Sequence, residues 1–315
     1  MHDQQEVLLQ EYLKFAIALA KEAGAIVKSA VETRMSGSGT NILMKCDNPS
    51  DLVTETDQAV EQFIKTRLTE TYPEHRFIGE ETMSSGAKTE FTDEPTWIVD
   101  PIDGTTNFIH GFPFVAVSIG LTIDKQPALG VVYNPLLNEL YSAARGLGAY
   151  LNESTRLPLF QPVPPLKDLS QCLIATEAGS DRSATVLSKK IEAMHAILRK
   201  KGSDHRAAEA HSIRATGSAA LNMCCVAKGV IDVYWEIGCW EWDVTAAIVI
   251  TQESGGLVLT GGNQPDKNPV NIFGRKYLAI RAAPDIQSQH NIAHQMWDII
   301  PDIDAPRKPV PGGFE

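Results

Sequence analysis

A chain of 315 residues, 43% hydrophobic and 21% charged, has the composition of a globular protein large enough to bury one or two cores. The formal net charge of −11 argues against nucleic acid as a partner, because that affinity comes from Lys and Arg neutralising phosphates. No apolar run approaches the roughly 20 residues that span a bilayer; the longest, Phe112 to Ile123, is broken by Pro113, Ser118 and Gly120 and reads as a buried strand. The N-terminus lacks the basic and apolar regions of a secretory signal. Five cysteines (Cys46, Cys172, Cys224, Cys225 and Cys239) are scattered without a CxxC pair. Neither a disulfide framework nor a zinc site is expected, and a cytoplasmic protein is the default.

Leu9, Leu13, Ile17, Ala20 and Val27 recur at helical spacing and predict a first helix within residues 5–32. Gly24 falls on the same stripe, where a missing side chain allows close packing. Ser36-Gly37-Ser38-Gly39 has the glycine content of a phosphate loop but no P-loop lysine and no preceding strand, so it reads as a surface loop. A second helix is expected from Thr56 or Asp57 to Thr69, with Asp57 as N-cap. From Phe114 to Leu151, β-rich runs separated by Asp124-Lys125-Gln126, Asn134-Pro135 and Arg145-Gly146 predict an antiparallel meander.

The second half alternates. Strands are expected near Cys172–Thr176, Ile213–Thr216, Val230–Ile237, Leu257–Leu259 and Tyr277–Arg281, and helices across Ala184–Lys201, Ser218–Lys228 and Trp242–Ser254. The proline-rich chain from 301 to 315 reads as a flexible tail. These elements imply an α+β sandwich, a single domain over residues 1–300 with sheet-containing halves of roughly 1–155 and 156–300.

The chemistry concentrates in Trp97-Ile98-Val99-Asp100-Pro101-Ile102-Asp103-Gly104-Thr105-Thr106-Asn107-Phe108. An apolar strand delivers Asp100, and Pro101 and Gly104 then turn the chain. Two aspartates three apart on such a turn converge on one point, with the Ile102 carbonyl between them. A hard cation such as Mg²⁺ wants this all-oxygen environment. Gly104, Thr105 and Thr106 open a short helix whose backbone N–H groups suit a phosphate. Ile78-Gly79-Glu80-Glu81 and Trp242-Asp243 add acidic residues of the same character. Taken singly, each of these aspartates is as readily a turn or capping residue.

Together, Asp51-Leu52-Val53-Thr54-Glu55-Thr56-Asp57, Gly79-Glu80-Glu81, Trp97 to Phe108 and Trp242-Asp243 resemble the four signature blocks of the inositol monophosphatase family, in its order. The likeness continues through Phe112 to Gly120 and Ile213 to Gly229. It implies a layered α/β/α/β/α sandwich, a homodimer, and hydrolysis of myo-inositol monophosphate with two to three Mg²⁺ ions and sensitivity to lithium. By position, Glu80, Asp100 and the Ile102 carbonyl would hold one ion, and Asp100, Asp103 and Asp243 a second; a third would lean on Glu80. Glu80, Thr105 and Asp57 would orient and deprotonate the attacking water. The Gly104 and Thr105 amides would take the phosphate. Ser180, Gly217, Ser218, Ala219 and Glu236 would meet the polyol, and Lys45 would lie nearby. One departure is visible: this chain reads Cys239-Trp240-Glu241 before Trp242-Asp243, where many relatives place His-Cys.

The residue types suit the reaction. A phosphomonoester presents a dianion, and metal ions neutralise it, activate water and stabilise the leaving alkoxide. No Cys or His is placed as a phosphoryl acceptor, and the eight histidines are dispersed, which favours attack by water over a covalent intermediate. A phosphatase of the same fold acting on 3′-phosphoadenosine 5′-phosphate, histidinol phosphate or fructose bisphosphate is the alternative, followed by a non-catalytic regulator. The retained acidic residues weigh against the latter.

Overall fold

The computed structural model describes residues 2–37, 42–44, 52–87, 89–202, 206–262 and 270–307. Lys45, Cys46 and the end of the glycine-rich loop lie outside them. A long helix α1 (His2–Met35) is followed by a two-stranded pair, β1 (Ile42–Met44) and β2 (Leu52–Thr54), and by α2 (Glu55–Thr71). Helix α2 starts earlier than the sequence suggests. Thr54, in extended backbone, is its N-cap, and Asp57 is the third helical residue of a capping box, its Oδ2 accepting the Thr54 N–H at 2.8 Å.

The first sheet has seven strands in chain order: β3 (Arg76–Gly79), β4 (Thr96–Asp103), β5 (Ala116–Ile123), β6 (Gln126–Asn134), β7 (Glu139–Ala144), β8 (Gly148–Leu151) and β9 (Thr155–Arg156). Only β3 and β4 pair in parallel; β5 to β8 form the expected meander, which β4 and β9 extend at its two ends. Two short helices interrupt its start, α3 (Glu80–Ser84) and α4 (Thr105–His110). The second sheet, ordered β11-β10-β12-β14-β13, comprises β10 (Leu173–Ala175), β11 (Ser212–Arg214), β12 (Val233–Ile237), β13 (Leu257–Thr260) and β14 (Lys276–Ile280). Its helices are α5 (Ala184–Leu198), α6 (Ala219–Lys228), α7 (Glu241–Glu253) and α8 (Ile286–Ile299).

Three apolar clusters separate five layers. Helices α1 and α2 bury Leu19, Ala23, Val27, Val60 and Ile64 against one face of the seven-stranded sheet. Helices α6 and α7 lie between the sheets, against Ile98, Val132 and Tyr141 on one side and Tyr234 and Ala279 on the other. Helices α5 and α8 cover the outer face of the five-stranded sheet through Ala193, Ile197, Ile292 and Met296, against Trp235 and Leu278. The result is the α/β/α/β/α arrangement.

Missing side chains set two of the contacts. A Cβ on Gly24 would stand 2.5 Å from the Tyr133 ring, so α1 packs on β6 at the glycine of its stripe. A Cβ on Gly130 would stand 2.1 Å from the Ala246 carbonyl oxygen, inside any allowed contact. Helix α7 therefore rests directly on the backbone of β6, which fixes the height of its N-terminus above the sheet.

Residues 301–307 are anchored where the sequence suggests a flexible tail. Ile303 is buried, the Asp302 carbonyl accepts from Lys189, and the Pro306 carbonyl accepts from Arg275. Residues 308–315 lie outside the described chain.

Candidate active site

Asp100 and Asp103 both belong to β4 rather than to a turn after it. Asp100 pairs with Ser118 of β5, and the register resumes with Asp103 opposite Ala116, so β4 carries one extra residue between them. In a regular strand residues three apart face opposite sides; a one-residue bulge restores them to the same side. The Asp100 Oδ1 accepts the Ile102 N–H at 2.9 Å across the bulge. Gly104 follows with φ +93°, and a Cβ there would lie 2.8 Å from the Phe114 carbonyl oxygen. Only glycine makes this turn into α4 without strain.

The remaining acidic residues each come from another element. Glu80 opens α3 directly after β3, and Asp243 is the third residue of α7, its Oδ2 accepting the Trp240 N–H at 2.7 Å. Asp103 ties β4 to α6: its Oδ2 accepts from the Ser218 hydroxyl at 2.6 Å and the Ala220 N–H at 2.7 Å, and its Oδ1 from the Ala219 N–H at 3.3 Å. The Thr105 hydroxyl is shared between Asp57 Oδ1 at 3.3 Å and the Ile102 carbonyl at 3.2 Å.

The carboxylates act on one another. Burial pushes Asp100 well above the usual range, and the charges of Glu80, Asp103, Asp243 and Asp57 push it further. Asp243 is raised by burial and then by Asp103 and Glu80, and it shares a side-chain hydrogen bond with Asp100. Burial raises Asp103 to about 6 against the bonds from α6. Among the described residues, no group of three or more His, Cys, Asp or Glu side chains is drawn close enough to hold a metal ion as it stands. The carboxyls instead accept from backbone N–H groups, and the bond shared by Asp100 and Asp243 requires a proton on one of them.

The residues expected to meet the leaving group lie at the start of α6, before α5 and on β12. Ser218 is buried, and its hydroxyl also accepts the Leu221 N–H at 3.1 Å to cap α6, so it is engaged with protein on both counts. Gly217 is exposed, and Ser180 is half-buried in the segment before α5. Glu236 is 3% exposed at the end of β12 and bonds to Lys190 of α5 at 2.6 Å. Burial lifts it to about 7, with the Lys190 charge opposing. Sequence reasoning did not single out Lys190 or Glu177. Glu177 Oε1 accepts from the Thr216 and Gly217 N–H groups at 2.6 and 2.9 Å and from the Asn222 amide at 2.9 Å. Asn107 of α4 closes the circuit, donating to the Thr216 and Phe114 carbonyls at 2.7 and 2.8 Å.

Comparison with known proteins decides what this arrangement belongs to. The inositol monophosphatase family model matches residues 8–300. The chain belongs to that family. It is 41% identical over 287 residues to inositol monophosphatase 1 of Bos taurus, covering 88% of this chain and 95% of the relative. It is 39% identical over 320 residues to protein qutG of Emericella nidulans, covering 95% and 96%. The inositol monophosphatase structure from Anabaena (Nostoc) superposes with a TM-score of 0.71 at 27% identity, over 94% of this chain and 98% of that one. Family membership makes the protein a phosphoric monoester hydrolase.

The departure before Asp243 has a structural role. Trp240 stacks on Trp242 at 5.5 Å between ring centroids, and the Arg275 guanidinium covers it at 3.8 Å. Glu241 is fully buried and bonded to Arg307 at 2.9 Å. Arg307 also lies 5.3 Å from the Trp240 ring and 4.9 Å from that of Phe273. Trp240 and Glu241 thus bind residues 301–307 to the first turn of α7, which carries Asp243.

Proposed function

We propose that this member of the inositol monophosphatase family hydrolyses myo-inositol monophosphate to myo-inositol and phosphate with magnesium as cofactor. The observation that carries the reading is the β4 bulge, which turns Asp100 and Asp103 to one side, with Glu80 and Asp243 near enough for their charges to raise Asp100. An all-oxygen set in which the neighbouring charges raise Asp100 and Asp243 fits a hard divalent cation, which would relieve that repulsion. Glu80, Asp100, the Ile102 carbonyl, Asp103 and Asp243 would hold two to three ions. When bound, Mg²⁺ supplies neutralisation of the phosphate and acidification of water.

The protein's own groups supply position and proton acceptance. The Thr105 hydroxyl, held by Asp57 and the Ile102 carbonyl, faces a choice of acceptors. A water accepting from Thr105 and donating to Glu80 would lose its proton to carboxylate as it attacks phosphorus. The Gly104 and Thr105 N–H groups would receive the phosphate oxygens. Ser180, Gly217 and Ala219 would line the polyol, Ser218 would hold Asp103 in place, and Glu236 would accept a hydroxyl. A site built to bind hydroxyls rejects an ester that lacks them by more than an apolar pocket can. Family membership also supports a homodimer, a cytoplasmic location and competition by lithium for a magnesium position.

The test is phosphate release from inositol 1-phosphate, 3′-phosphoadenosine 5′-phosphate, histidinol phosphate and fructose 1,6-bisphosphate, each with and without Mg²⁺. The expected result is Mg²⁺-dependent release with preference for the inositol ester. Preference for another ester overturns the substrate, and equal release without metal overturns the cofactor.

A further inference from the structure

Lys190 lies on α5, away from the acidic cluster, yet it is 2% exposed. A buried ammonium is costly unless its hydrogens find acceptors and its charge a partner. Lys190 has both: Nζ donates to Glu236 Oε1 at 2.6 Å and to the Ile237 carbonyl at 2.7 Å. The chain before Ser180 is shaped around it. Gly179 has φ +71°, and a Cβ there would stand 2.5 Å from the Lys190 nitrogen.

Glu236 is then constrained on both oxygens. Oε1 also accepts the Ile237 N–H at 3.0 Å, and Oε2 accepts the Glu177 N–H at 3.0 Å. A carboxylate has about four acceptor positions; these three bonds leave one, on Oε2. Glu177 carries the contact onward, since its side chain holds the Thr216 and Gly217 N–H groups. Next in the chain is Ser218, whose hydroxyl bonds Asp103. One connected set of bonds therefore runs from Lys190 through Glu236 and Glu177 to the loop bordering the acidic cluster.

We propose that Lys190 is a specificity-determining positioning residue, holding Glu236 as an acceptor with one open position for a hydroxyl of the leaving alcohol. The inference rests on the polyol phosphatase reading above and adds to it the residue that fixes the acceptor. Lys190 touches no reacting atom; it acts through Glu236. Without the ammonium, Glu236 is free to rotate or to take up a proton, and a hydroxyl donor then loses its fixed partner. An ester without hydroxyls on its leaving group loses nothing at this position.

The test compares kcat/KM for inositol 1-phosphate and 4-nitrophenyl phosphate in the full-length protein with Mg²⁺, for wild type, Lys190→Met, Glu236→Gln and the double variant. Lys190→Met should lower the inositol-to-nitrophenyl ratio about tenfold, with the loss in KM for the inositol ester. In the Glu236→Gln background, adding Lys190→Met should change the ratio less than twofold, because the residue has nothing left to position. If the unpaired Glu236 unfolds the single variant, the double variant leaves no charge behind, and its comparison with Glu236→Gln carries the test. A further fivefold fall there overturns the inference, as does an equal fall of both substrates in Lys190→Met. A wild-type preference for the inositol ester that survives Lys190→Met overturns the inference alone. A wild type that prefers neither ester overturns the substrate reading and the inference with it.

Discussion

Magnesium should stabilise this protein more at pH 8 than at pH 5, and the site gives the size of the effect. Asp103 is raised from 3.8 to about 6 in the folded protein by burial. A carboxyl raised on folding contributes stability that is complete below its unfolded pKa and lost as pH rises through its folded one. At 1.36 kcal/mol per unit, a shift of about two units is worth about 3 kcal/mol in total. Integrating between pH 5 and 8, where the unfolded carboxyl is already ionised, leaves about 1.4 kcal/mol to be lost by the metal-free protein. Asp100 and Asp243 are raised in the same direction and add to it. For a chain of this size 1.4 kcal/mol corresponds to about 2 °C in Tm, as a lower bound. A bound cation replaces the protons, so the Tm gained on adding magnesium should exceed its pH 5 value by at least that amount at pH 8. The assay is thermal unfolding of chelator-treated protein with and without 5 mM Mg²⁺ at the two pH values, with Asp103→Asn as control. The variant cannot ionise at that position and should show a smaller difference. Equal magnesium increments at both pH values would refute the reasoning.

Three further outcomes follow from single contacts. Asp243→Asn should lower Mg²⁺-dependent turnover by orders of magnitude while leaving the far-UV spectrum intact; near-normal turnover in a phosphate-release assay would remove Asp243 from the site. Arg307→Ala strips the partner from Glu241, which is fully buried, and should cost about 3 kcal/mol in urea unfolding. A loss under 1 kcal/mol would mean that residues 301–307 do not secure α7. Gly130→Ala drives a methyl to 2.1 Å from the Ala246 carbonyl; by separating α7 from β6 it should destabilise by about 3 kcal/mol or more and weaken activity through Asp243. A variant with wild-type unfolding and turnover would show that this contact does not set the height of α7.

What the chain reveals before folding depends on how local the cause is. The meander from β5 to β8 is legible because its turns carry their own conformational demand: Asp124 and Lys125 sit at φ +52° and +60°, and Gly146 at +81°. The acidic block is legible because Pro101 and Gly104 mark an irregularity. That the irregularity is a bulge inside β4 is not, since it depends on which β5 residues lie opposite. Asp57 looks like a helix cap and is the third residue of a box whose cap is Thr54; the choice between them is made by the extended backbone of Thr54, which β2 imposes. Helix α8 escaped notice although Ile292, Ala293, Met296 and Trp297 recur at helical spacing behind an Asp285 cap. The run of Gln287, Ser288, Gln289, His290 and Asn291 at its start hides the stripe.

The network around Glu236 is the least legible part for the same reason. Lys190 and Glu236 are 46 residues apart, and Glu177 and Gly217 are 40 apart. Their meeting requires α5 to cross the outer face of a sheet in which β10 pairs with β12. Lys190 by itself reads as a charge set on the buried stripe of its helix, one turn from Ala193 and two from Ile197. Its burial, and so its relation to the site, comes from the Gly179 turn closing over the ammonium. A buried charge that no local pattern requires is retained at a cost of several kcal/mol unless fully paired. Here the pairing runs into the loop beside the acidic cluster, so the cost of burying Lys190 is met by the same bonds that orient Glu236.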